Sequence, residues 1–136
     1  MFPHVLVSLA RCHNVLVNGA FGNGVALWGE VNTPDTFENV NGRAHIVHNG
    51  ANSGFNQAVT LEVNEDYILS FDYQVDDGAI NFVKVGMTTI AALTGSGHYE
   101  HEFTESDGTT RTLNITTAGT GDHDWYVDNI RLTKKF

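Results

Sequence analysis

From residue 67 to 75 every second residue is apolar: Tyr67, Leu69, Phe71, Tyr73 and Val75, with Ser70, Asp72 and Gln74 among those between. Side chains alternate across a pleated strand, so this spacing predicts a strand with one buried face and Ser70, Asp72 and Gln74 on the other. Gln57, Val59, Leu61 and Val63 keep the same period just before it. Helical spacing is nearly absent. Further short β-prone runs fall at 15–17, 26–28, 37–40, 44–47, 80–85, 87–93, 98–104 and 110–116. Asn41-Gly42 suits a two-residue hairpin turn, and Asp76-Asp77-Gly78 reads as the close of another hairpin. The polar stretches 48–56 and 118–124 read as loops. Nine or ten short strands at regular spacing predict an all-β sandwich or barrel.

The last strand raises the sharpest questions. In Trp125-Tyr126-Val127-Asp128-Asn129-Ile130-Arg131-Leu132, simple alternation puts Tyr126, Asp128, Ile130 and Leu132 on one face, and Ile130 and Leu132 mark it as inward. Asp128 then points inward, where a carboxylate needs a hydrogen bond, an ion pair or a metal. Trp125 falls on the outer face, free to touch a ligand or to pack against the N-terminal residues.

Bulk properties narrow the partners. The 136 residues suit one domain. Sixteen acidic residues against seven basic ones give a net charge of -9. That argues against nucleic acid, whose affinity comes from Lys and Arg at phosphates, and against an anionic membrane. It suits a cation site or a neutral polysaccharide. Cys12 is the single cysteine, so no internal disulfide forms; a free thiol fits a reducing compartment or a partner chain, and is equally compatible with an inert one. Residues 1–13 lack the basic start and sustained apolar run of a signal peptide. No apolar run approaches the ~20 residues of a membrane helix. Residues 1–13 read as an N-terminal arm or extra strand, and 14–136 as the domain.

The order of motifs resembles a known superfamily. Asn14-Val15-Leu16-Val17-Asn18-Gly19-Ala20-Phe21 with Trp28, then Gln57-Ala58-Val59-Thr60-Leu61 with Tyr67-Ile68-Leu69-Ser70-Phe71-Asp72-Tyr73, then Tyr126-Val127-Asp128-Asn129-Ile130-Arg131-Leu132, resemble carbohydrate-binding modules of the galactose-binding-like superfamily. The resemblance implies a two-sheet antiparallel β-sandwich of jelly-roll type. It also implies a structural calcium between the opening loop and the closing strand, with Asp128 and the Asn18 region as ligands. Gly22 stands where that pattern carries an acidic residue.

Glycan recognition needs aromatic rings for the apolar sugar faces and planar polar groups for the hydroxyls. Phe55, in the polar stretch, and Trp125, on the outer face, are the platform candidates. Asp72 and Gln74 on the strand 67–75, with His98 on the strand 98–104, are the polar candidates. The bland reading of each is a solvated sheet face. Of the seven histidines, His45 with His48 and His98 with His101 are three apart and point to opposite strand faces, which disfavours zinc. No nucleophile elbow, phosphate loop or dinucleotide motif is present.

The sequence therefore predicts a non-catalytic glycan-binding module of an extracellular or virion-surface protein, taking a polysaccharide or surface glycan. The alternative is a structural surface protein, such as a virion decoration or tail protein, that joins a homo-oligomer or larger assembly through the N-terminal arm.

Overall fold

The structure, a computed structural model, describes residues 14–49, 52–85, 88–89, 92–106, 108, 110–117 and 121–135. The predicted arm 1–13, with Cys12, and residues 87, 90 and 91 of the predicted strand 87–93 lie outside them. Among the described residues ten strands form: β1 Gly29–Val31, β2 Thr36–Val40, β3 Arg43–Asn49, β4 Gly54–Thr60, β5 Asp66–Asp77, β6 Phe82–Val85, β7 Thr88–Thr89, β8 Ser96–Thr104, β9 Thr110–Thr116 and β10 Asp122–Lys134. They make two antiparallel five-stranded sheets, ordered β1-β4-β9-β6-β7 and β2-β3-β10-β5-β8. The fold is an all-β, two-sheet sandwich.

The facing sides close over one apolar core. Leu69 and Phe71 of β5, Leu113 and Ile115 of β9, and Val127, Ile130 and Leu132 of β10 are all essentially inaccessible. At one end the core is aromatic. Phe55 stacks on Phe37 across the sandwich (centroids 5.3 Å apart) and meets Trp28 edge-on at 5.1 Å. Trp125 and Phe21 complete the cluster. Such pairs add roughly 0.5–1.5 kcal/mol beyond the area they bury.

Two expectations about surface aromatics fail here, each for a definite reason. Phe55 is fully buried, because the predicted loop 48–56 is mostly strand: β3 runs on to Asn49 and β4 begins at Gly54. Gly54 permits this, since a Cβ there would overlap the backbone of Ile115 and Thr116 on β9. Trp125 is also fully buried. The pairing of β10 with β5 runs Val127↔Tyr73 and Asp128↔Asp72, then resumes at Arg131↔Ser70. One extra residue is thereby inserted in β10, a β-bulge, and Asn129 takes the left-handed φ of 52° that bulges use. The bulge reverses the phase of the strand. Trp125 and Val127 face the core before it, and Ile130 and Leu132 after it. Tyr126 and Asp128 face out, so the inward reading of Asp128 is overturned.

The opening segment clasps the bulge. Beyond Val127, β3 no longer pairs with β10. Asn14 bridges Thr133 in its stead, donating Nδ2 to the Ile130 carbonyl (3.0 Å) and accepting the Leu132 N–H (2.8 Å). The Gly19 carbonyl accepts the Ile130 N–H at 2.9 Å. A side chain at Gly19 would collide with the Ile130 carbonyl. The predicted strand 15–17 is therefore a clasp rather than a strand. The expected 41–42 hairpin forms, with Asn41 and Gly42 both at positive φ (54° and 82°). The turn at Gly78 closes no hairpin, because β5 and β6 belong to different sheets.

Candidate functional site

The outward side of the second sheet carries the residues that its strands do not bury. Cross-strand register sets them in rows. One row reads Glu38 (β2), His45 (β3), Tyr126 (β10), Gln74 (β5), Ser96 (β8); next to it Asp128 lies across from Asp72, which lies across from His98. Arg43 flanks Asp128 from β3. Arg43, Asp72, Tyr73, Gln74, Ser96, Tyr126 and Asp128 line a cleft of about 110 Å³. Pockets that engulf a drug-sized ligand run to roughly 300–1,000 Å³. This cleft fits part of a longer molecule lying along the face.

The groups within it are tied together. His45 stacks flat on Tyr126, with centroids 4.3 Å apart and 8° between planes, and its Nε2 lies 2.7 Å from Asp124 Oδ1. The Arg43 guanidinium carbon sits 4.2 Å from the Tyr126 centroid, a cation–π contact. Arg43 also donates to Gln74 Oε1 at 3.0 Å, and Gln74 Nε2 donates to Asp76 Oδ1 at 2.8 Å. Tyr126 is thus held between a histidine and an arginine.

The two carboxylates in the cleft differ. Asp72 Oδ2 accepts from Asn129 Nδ2 (2.9 Å), and its Oδ1 lies 2.7 Å from His98 Nδ1. These hydrogen bonds, Asn129 first, hold its pKa below the ordinary 3.8. Among the described residues, Asp128 accepts only the Asn129 backbone N–H, at 2.7 Å. Partial burial pushes its pKa up, and the nearby Asp72 charge adds to the rise.

Of the predicted ligand-binding residues, the structure brings Asp72, Gln74 and His98 together on one face. Phe55 and Trp125 are in the core and cannot touch a ligand. Sequence reasoning missed Arg43, Ser96 and Tyr126 as cleft residues. Arg43 and Ser96 fell in segments read as turn and loop, and Tyr126 was placed inside by the unbroken alternation. The signal that could have found the cleft is Asp128-Asn129, since asparagine tolerates the left-handed conformation of a bulge.

The predicted calcium ligands do not suit calcium. Asn18 uses Oδ1 to accept the Asn23 N–H (3.0 Å), and Nδ2 to bind the Gly24 and Ala26 carbonyls. Its own carbonyl accepts the Trp28 indole N–H at 2.9 Å. Asp128 opens instead into the cleft beside the Arg43 cation. Hard cations need several convergent oxygens, and among the described residues no group of three His, Cys, Asp or Glu side chains converges on one point. Among them, too, no helix is long and apolar enough to cross a membrane.

No family model matches the sequence, and no curated protein matches it either. Solved structures do. A CBM4 module aligns over 87% of this chain and 98% of its own, with a TM-score of 0.69 and 14% identity. TmCBM61, solved in complex with β-1,4-galactotriose, aligns over 90% of this chain and 99% of its own, with a TM-score of 0.65 and 15% identity. The enzymatically active domain of tailspike protein 4 from bacteriophage CBA120 aligns over 89% of this chain and 21% of its own, with a TM-score of 0.55 and 13% identity. The chain shares the β-sandwich fold of carbohydrate-binding modules.

Proposed function

We propose that this domain is a non-catalytic glycan-binding module and that the saccharide lies across the outward side of the second sheet. The observation that carries the reading is the cleft around Tyr126. Arg43, Asp72, Gln74, Ser96 and Asp128 gather there, offering donors and acceptors in the planar arrangement that vicinal hydroxyls favour. Recognition is mainly polar. With His45 and Arg43 on its ring, Tyr126 stacks on a sugar only after Arg43 moves aside. The carboxylates act as hydrogen-bond acceptors: the Asp72 side chain is 51% exposed on an open face, unlike the enclosed acids of hydrolytic sites. The fold shared with carbohydrate-binding modules supports the same reading, which in turn implies an extracellular or surface setting. A glycan array on the isolated domain, followed by titration of the best hit, tests it. Binding that Gln74→Ala weakens upholds the proposal. Silence on the array, or turnover of a polymer, defeats it.

The tailspike likeness favours a second reading, a structural domain within a larger surface assembly. Light scattering separates the two. A discrete oligomer with no saccharide affinity supports the assembly, and a glycan-binding monomer rejects it.

A further inference from the structure

A strand at the edge of a sheet keeps a row of unpaired N–H and C=O groups, and folded proteins blunt such edges with short strands, bulges or proline. Among the described residues, three of the four edge strands are short: β7 has two residues, β1 three and β2 five. The fourth, β8, has nine. Its pairing with β5 runs unbroken from Asp66↔Thr104 to Gln74↔Ser96, so no bulge bends it, and it holds no proline. The bonds beyond its two ends fix where its backbone points. The Gly95 carbonyl accepts the Val75 N–H at 2.6 Å, and the Glu105 N–H donates to the Glu65 carbonyl at 3.0 Å. Bonding alternates along an antiparallel pair, so the odd-numbered residues turn their backbone groups to β5. Ser96, His98, Glu100, Glu102 and Thr104 turn theirs to the free edge, where among the described residues no hydrogen bond meets them.

The side chains of β8 are the second observation. Tyr99, His101 and Phe103 stack one after another on the inward side, with centroids 6.4 and 6.3 Å apart, and are only half-buried. A strand added at this edge would cover them. His98, Glu100 and Glu102 stand exposed on the other side. Identical edges pair about a twofold axis, and charge selects the register. An axis at His101 sets Glu100 across from Glu102 of the second copy, and an axis at Glu100 sets that carboxylate across from its own equivalent. Like charges directly opposite one another destabilise a sheet. An axis at Tyr99 avoids both clashes. It sets the His98 imidazole across from the Glu100 carboxylate on each side of the axis, and His101 across from Gly97, which leaves room for its ring.

We propose that β8 is a self-association edge: a second copy of this chain adds antiparallel to it about a twofold axis at Tyr99, joining the two second sheets into one. Glu102 of the second copy then adjoins Ser96 on the wall of the Tyr126 cleft, and both clefts open on one continuous face. The dimer does not depend on what the cleft binds. The test is sedimentation equilibrium of the whole chain from micromolar to millimolar concentration, with amide hydrogen exchange read at both ends of that range. The chain should dimerise. The amides of His98, Glu100 and Glu102 should exchange more slowly at the higher concentration, while those of Tyr99 and His101, bonded to β5, stay protected throughout. Glu100→Lys sets a cation across from His98, and His98→Glu sets two carboxylates together. Each alone should weaken the dimer about tenfold, the combined size of two cross-strand charge pairs. Mixing the two variants sets the new lysine across from the new glutamate and should restore association to within about threefold of the parent. Protected Tyr99 and His101 amides report that each variant is folded. A monomer at every concentration, edge amides protected regardless of concentration (the mark of an occupant within the chain, such as residues 1–13), or a mixture that associates no better than its components would overturn the proposal.

Discussion

Asp72 lies directly across from Asp128 on the neighbouring strand, yet the two carboxylates are driven in opposite directions. Asn129 and His98 lower the pKa of Asp72, while burial raises that of Asp128. Like charges placed opposite one another on a sheet are unfavourable, and the asymmetry lets one of them carry the cost.

This pair makes stability depend on pH with opposite signs. Asp72 has a folded pKa below 3.8, so its contribution is fully present above that value and is lost as pH falls through the lowered one. Asp72→Asn should therefore lower Tm at pH 7, with the gap closing in acid. Asp128 has a folded pKa above 3.8, so its ionised form subtracts from stability at neutral pH and the penalty disappears on acidification. Asp128→Asn should raise Tm at pH 7 and match the parent below pH 3.8. Both effects are screened by solvent and should stay within about 1 kcal/mol. Melting curves between pH 2.5 and 7, on the order of these pKa values, decide the matter, and a Tm gap independent of pH refutes the assignment.

Tyr99 offers a spectroscopic check. Burial pushes its phenol pKa up to about 12, and its hydroxyl has no hydrogen-bond partner among the described residues. Ultraviolet titration should show one of the four tyrosines ionising late, and Tyr99→Phe should remove that step. Because the hydroxyl is buried without a partner, the substitution should be neutral or stabilising by up to about 1 kcal/mol. A destabilisation of several times that size would mean the hydroxyl is bonded.

Phe55 and Trp125 should behave as core residues. Either change to Ala should cost about 3–5 kcal/mol, measured by urea unfolding. Gln74→Ala should leave Tm within about 2 °C, as surface changes do, while weakening glycan binding by up to about tenfold, the upper end for a neutral hydrogen bond. Affinity lost with Trp125→Phe at unchanged stability would put that ring back in the site.

Asn129 tests the bulge itself. Asn129→Val places a β-branched residue at φ 52° and removes the bond to Asp72. About 1–2 kcal/mol of strain is expected from the backbone alone. Asn129→Gly keeps the backbone but not the bond, so it should destabilise less than Asn129→Val. Equal losses from the two would show that the left-handed conformation matters little.

Much of the sandwich was legible because alternation is a local signal. Val59, Leu61, Leu69, Phe71 and the Asn41-Gly42 hairpin all follow from period and turn chemistry. The site was only half legible. Asp72 and Gln74 lie on a strand whose phase never breaks, so their outward direction could be read off. Trp125, Tyr126 and Asp128 lie before an inserted residue, so anchoring the phase on Ile130 and Leu132 turned all three the wrong way. Phe55 was hidden by Asn52, Ser53, Asn56 and Gln57 around it, polar residues tolerated because Gln57 turns its amide to the Val17 backbone and the Leu27 carbonyl. Arg43 owes its place in the cleft to β3 lying beside β10, a long-range pairing with no local trace.

The bulge also makes the final strand a hinge between two reading frames. Its two halves can each accept substitutions, but their combined length is frozen: losing one residue near Asn129 would expose Trp125 and turn Tyr126 and Asp128 inward, exchanging the cleft face for the interior in one step. Variation in the chemistry of the cleft should therefore arise by replacing residues around it, while insertions and deletions are confined to the connecting loops.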